Sequence, residues 1–138
     1  MNNKKLDLEK VSIKSFSAKV TLGLEIGYTK KLIEKSEIIK SLQNYQNQLI
    51  KEKNLILSVS LSVCDIILSG QVEPHLKLNF INYPKFPMEE KVLKIEIENL
   101  TKYLMKKFEQ NRVVIEYLDE TIMIENSELI DPRIKVNE

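Results

Sequence analysis

Apolar residues alternate with polar ones from Phe16: Phe16, Ala18, Val20, Leu22, Leu24 and Ile26 fall on one side, with Ser17, Lys19, Thr21 and Glu25 between them. A period of two predicts a half-buried strand, and Gly27 closes it. From about Ser36 the spacing changes to threes and fours through Ile38, Ile39, Leu42, Tyr45, Leu49 and Ile50, which predicts an amphipathic helix capped by Ser36. After "KEKN" a second alternation follows, with Leu55, Leu57, Val59, Leu61 and Val63 on one face and Ser58, Ser60, Ser62 and Cys64 on the other.

The same order returns in the second half. Val72, Leu76, Leu78 and Phe80 mark one face of a third strand whose other face carries Glu73, His75, Lys77 and Asn79. Pro87 suits a first helical turn, Leu93, Ile97, Leu100, Leu104 and Phe108 form a helical stripe, "NRVVIEYLDE" gives a fourth strand, and "TIMIE" returns as a short extra one. "KVTLGLEIGY" overlays "HLKLNFINYP" at an offset of 56 residues, from Lys19 to His75, which points to a duplicated βαβ unit. The predicted fold class is α+β: two βαβ units forming a four-stranded mixed sheet, both helices on one face, and a short C-terminal strand. The predicted organisation is an extension over 1–15, a domain over 16–126 and a tail over 127–138. The uncovered sheet face predicts a homo-oligomer.

Composition narrows the function classes. With 21 basic and 20 acidic residues in alternation, no net field attracts nucleic acid or an anionic membrane. One cysteine, Cys64, forms no internal disulfide, and no Cys/His spacing suits zinc. No run approaches the ~20 apolar residues of a membrane span, and the first residues lack a signal peptide's apolar stretch. These features predict a cytoplasmic protein without cofactor or metal.

Three stretches resemble the tautomerase superfamily, in its branch typified by macrophage migration inhibitory factor: the βαβ duplication, "DIILSGQVEPHLKLNFI" and "NRVVIEYLDE". The resemblance runs from about Ala18 to Glu125 and implies a homotrimer with small-molecule pockets between subunits. It also implies a general base, an N-terminal proline amine. This chain begins Met1-Asn2 and its first strand starts near Ser17, so that base is missing. Val114 and Glu116 stand where the family carries a pocket tyrosine and asparagine, and the family's basic pocket residue corresponds to Lys51 or Lys53. The expectation is a binding or structural module of tautomerase fold. The alternative is an isomerase in which His75, Glu73, Lys77 or Glu116 takes the proton.

Glu73, His75 and Lys77 share a strand face, where a glutamate can orient an imidazole for base work. The same pattern serves equally as cross-strand pairing, and Pro74 between them marks an edge or a bulge. Cys64 reads as a half-buried thiol or a nucleophile, the three serines as sheet packing or a hydroxyl row, and "GYTKK" as a plain loop or an anion site. Glu116, Asp119 and Glu120 read as an acidic hairpin tip or a cation site. The extension and the tail "NSELIDPRIKVNE" offer a third reading, docking onto another chain.

Overall fold

The computed structural model describes residues 7–127. Its elements run β1 (Ser17–Gly23), α1 (Lys35–Lys53), β2 (Val59–Leu68), β3 (Gln71–Ile81), α2 (Glu90–Lys107), β4 (Arg112–Tyr117) and β5 (Thr121–Glu125). Residues 7–15 form no helix or strand, and the predicted tail lies outside the described residues except for Ser127.

The four-stranded mixed sheet is overturned. Among the described residues there is one five-stranded sheet in the order β2-β3-β1-β4-β5, with every neighbouring pair antiparallel. The physical reason is the turn between β2 and β3. Leu68 pairs with Gln71, leaving a two-residue loop, and both Ser69 (φ 24°) and Gly70 (φ 85°) take positive φ. Such a loop joins adjacent antiparallel strands and matches their twist. With β2 beside β3 and β3 beside β1, the parallel strands of each βαβ segment are separated by a strand of the other. This is the split βαβ, or ferredoxin-like, plan with one strand added at the β4 edge.

Pro74 is compatible with an interior strand because of where it sits. β1 ends opposite His75, one residue before the level of Pro74. The Pro74 carbonyl accepts from Leu24 N at 3.0 Å, while the Leu24 carbonyl, which proline has no N–H to serve, accepts from Ile33 N at 2.7 Å. The chain after β1 therefore folds back on itself, with Glu25 bridged to Leu32.

One face of the sheet is the core. Ala18, Val20 and Leu22 of β1, Leu76, Leu78 and Phe80 of β3, and Val113 and Ile115 of β4 are buried in one cluster with Ile38 and Leu42 of α1 and Leu93, Ile97, Leu100 and Leu104 of α2. At about 25 cal/mol per Å² of apolar surface removed from water, this cluster is the main stabilising term. The buried carboxylate among the described residues, Glu96, takes Lys53 Nζ at 2.8 Å and so ties α2 to the end of α1.

The other face carries Lys19 and Thr21, His75, Lys77 and Asn79, and Val114 and Glu116. The register sets Thr21 between Lys77 and Val114, and Lys19 between Asn79 and Glu116. The β2–β3 hairpin runs past the end of β1, and there Ile67, Leu68 and Val72 are exposed; Val63, on the edge strand opposite Leu76, is exposed as well.

Candidate functional site

Where β1 ends, β3 begins and α2 hands over to β4, the chain leaves a cleft of about 200 Å³. Helix α2 stops at Phe108, and Glu109 turns left-handed with φ 50°. Gln110 N then donates to Met105 O at 2.9 Å, the six-to-one bond of a Schellman ending. Backbone geometry thus fixes the start of the Gln110 side chain. Its amide nitrogen donates to Glu25 O at 2.8 Å and to Phe108 O at 3.0 Å. Both neighbours are carbonyls, which only accept, so the amide must face them with its NH₂ and turn Oε1 the other way.

Oε1 turns toward Gly23. A Cβ at that position would lie 2.6 Å from Gln110 Oε1 and 3.7 Å from His75 Nε2. Only glycine leaves room for the amide there, and His75 is its direct partner across the ladder. His75 Nδ1 faces Glu73 O at 3.1 Å. A carbonyl on that side makes Nδ1 the donor and leaves Nε2 of the neutral ring as an acceptor.

Two further groups frame the cleft. Asn111 Nδ2 donates to Tyr28 Oη at 2.6 Å and Asn111 Oδ1 accepts from Ser127 Oγ at 2.9 Å, which orients the amide. Arg112 Nε donates to Glu125 Oε2 at 2.8 Å, and this hydrogen bond raises the arginine pKa. Among the described residues the charged ones lining the cleft are Glu25, Glu73 and Arg112, two carboxylates to one cation, and Arg112 pairs with Glu125. A broader depression of about 530 Å³ lies beyond Gln110 and Asn111, edged by Lys102 and Lys106. The smaller cleft is the stronger candidate, because polar groups with fixed orientation converge in it.

The sequence-predicted residues separate. Glu73 and His75 line the cleft. Lys77 lies further along the open face, opposite Thr21 and Ser62. Glu116 pairs with Lys19, four residues from Gly23 on β1, roughly 13 Å along the strand from the His75 level. The four do not form one site. Asp119 and Glu120 meet Lys94 Nζ at 3.1 and 3.5 Å, so the hairpin tip is tied to α2. Among the described residues no group of three or more His, Cys, Asp or Glu is placed to hold a metal ion. Cys64, which has no histidine nearby in sequence, pairs directly with His75 across the sheet. Of "GYTKK", Tyr28 turns toward Asn111, while Thr29 closes the turn by donating to Ile26 O. Gly23 and Gln110 were missed: a glycine in an alternating strand and a glutamine after a helix carry little signal alone.

No family model and no curated protein matches this chain. Two solved structures share its fold. One is a phage SAM lyase in complex with S-methyl-5'-thioadenosine, with a TM-score of 0.65 and 18% identity over 91% of this chain and 100% of that one. The other is a phage SAM lyase in the apo state, with a TM-score of 0.70 and 17% identity over 91% and 99%. At this identity the likeness establishes the fold.

The tautomerase resemblance is thereby overturned. Its βαβ signal reflects chain order, whereas the strand order matches a different sheet. The binding or structural module of tautomerase fold, its isomerase alternative and the trimer inferred from that family lose their basis. No helix of the described residues is long and apolar enough to cross a membrane.

Proposed function

We propose that this chain is a lyase acting on S-adenosylmethionine, which it binds in the cleft at the Gly23 end of the sheet. The observation that carries this reading is the cleft's chemistry, set in a fold shared along nearly the whole chain with a phage SAM lyase. A fold alone hosts many reactions, so the site has to fit the substrate. S-adenosylmethionine is cationic at its sulfonium and at its ammonium. The cleft is lined by Glu25 and Glu73 and by an arginine paired with Glu125, and Gln110 and His75 bring acceptor atoms to it.

The reaction requires little acid or base chemistry. When the bond from sulfur to the γ-carbon of the amino acid part breaks, its electron pair goes to sulfur, and the neutral thioether S-methyl-5'-thioadenosine departs without a proton. A carboxylate oxygen of the same molecule takes the γ-carbon and closes a five-membered lactone, so atoms and charge balance with no water added. The protein's contribution is to fold the substrate so that oxygen and carbon meet at about 3–3.5 Å.

The volume bears on assembly. A cleft of about 200 Å³ is smaller than the roughly 300–1,000 Å³ typical of small-molecule sites. Leu68 lines it, at the tip of the hairpin whose Val63, Ile67 and Val72 are exposed. A second copy of the chain packed on this hairpin would cover the apolar side chains and enclose the ligand, so we include a homo-oligomer in the proposal.

The test is direct. Purified protein incubated with S-adenosylmethionine, sampled by liquid chromatography with mass detection, should convert it to equimolar S-methyl-5'-thioadenosine and homoserine lactone. No loss of substrate, together with no calorimetric binding of S-methyl-5'-thioadenosine, would overturn the reading.

A further inference from the structure

We infer that Gln110 Oε1 and His75 Nε2 form a two-acceptor anchor for a primary amino nitrogen of the ligand, kept open by Gly23. The inference rests on reading the cleft as an adenosyl site and adds which ligand group is gripped there. Three observations converge. First, the Gln110 amide has no freedom to flip, since its NH₂ spends both hydrogens on the carbonyls of Glu25 and Phe108. Second, the imidazole has its tautomer set by the Glu73 carbonyl, which leaves Nε2 with a lone pair. Third, both atoms lie next to the point where any residue but glycine at position 23 would place its Cβ, 2.6 and 3.7 Å away.

Among the described residues neither Gln110 Oε1 nor His75 Nε2 has a hydrogen-bond partner, although Gln110 and His75 each make other bonds. Two acceptors facing one spot repel a carbonyl or carboxylate and match a group with two or more N–H bonds. A hydroxyl has one hydrogen and serves only one of them. A primary amine or ammonium serves both, standing off the Gly23 Cα. Rejection is as strong a consequence as binding, because a ligand that presents an oxygen acceptor here leaves two desolvated lone pairs facing a third.

An adenosyl sulfonium amino acid offers such a nitrogen twice, as the 6-amino group of the base and as the α-ammonium, and the experiment separates them. Binding is measured by calorimetry for S-methyl-5'-thioadenosine, for its 6-oxo counterpart S-methyl-5'-thioinosine, and for S-adenosylhomocysteine, on the native chain and on Gly23→Ala and His75→Phe. Gly23→Ala should fold, because the crowded atom is the end of a flexible side chain, and circular dichroism checks this. His75→Phe keeps a ring in the strand while removing the acceptor.

If the base is gripped, the 6-oxo nucleoside binds at least tenfold more weakly than S-methyl-5'-thioadenosine, and both variants erase that preference. If the ammonium is gripped, the two nucleosides bind alike, and both variants weaken S-adenosylhomocysteine alone by at least tenfold. Either result supports the anchor. Equal binding of all three ligands to the native chain and both variants overturns it while leaving the adenosyl site standing. No binding of any of them, with no turnover of S-adenosylmethionine, overturns the site and the anchor together.

Discussion

Tyr117 closes the core at the end of β4, and its hydroxyl donates to Glu98 Oε2 at 2.9 Å. Burial, then the bond to Glu98 and that carboxylate's charge, raise its pKa well above the ordinary phenol value of 10.0. The folded chain therefore keeps this proton at a pH where the unfolded chain has lost it. Its contribution is complete below pH 10 and falls away as pH rises beyond it. Urea midpoints followed from pH 8 to 11 should drop above pH 10, and Tyr117→Phe should make that drop shallower while costing about 1 kcal/mol at pH 8. The slope that remains belongs to Tyr45, Lys53 and Lys94, whose pKa values are also raised. Single residues were the least legible scale in the sequence. His75 and Glu73 stood out as the lone imidazole with a carboxylate two positions away, and both line the cleft. Gln110 did not, because its role comes from Glu109 turning left-handed, and a non-glycine residue gives no notice of that conformation.

The elements themselves were legible wherever one face is buried, since burial on one side is what writes a period into a sequence. Alternation from Phe16 becomes β1, and the stripe from Leu93 to Leu104 becomes the buried side of α2. Ends were less legible. Helix α1 begins at Lys35 after Glu34, and the Ser36 hydroxyl donates to the Glu34 carboxylate at 3.4 Å instead of capping the backbone. Its other end is set by Asn54, left-handed at φ 54°, whose N–H reaches Ile50 O at 2.9 Å. Asparagine tolerates this region and β-branched residues do not. Asn54→Gly should leave the urea midpoint unchanged or raise it slightly, and Asn54→Val should lower stability by about 1–2 kcal/mol. Equal midpoints for the two variants would show that the end of α1 can rearrange freely.

At the scale of the whole molecule the strand order was not legible, because the chain order of strands and helices is common to a sheet of duplicated units and to the one observed. The decision lies in two residues, Ser69 and Gly70, whose turn makes β2 and β3 neighbours. "SGQVEPHLKLNFINYPKFP" thus combines punctuation and chemistry: Gly70 sets the topology, and Glu73 and His75 enter the cleft. The exposed side chains on the same hairpin lead to a prediction about assembly. Light scattering should give a mass above the 16.1 kDa of one chain, and Ile67→Lys with Val72→Lys should return it to one chain. A native protein that already runs as one chain would remove the homo-oligomer from the proposal.

The interleaved strand order also bears on synthesis. When the ribosome has released residues up to Gly70, both β1 and β2 are complete, yet neither is the other's neighbour in the sheet. Their shared neighbour, β3, has still to emerge, so the nascent first half holds two strands with nothing to pair against. A truncation there leaves an aggregation-prone fragment instead of a stable half. Supplied with the missing half as a separate peptide, that fragment regains β3, the strand with which both of its own strands pair.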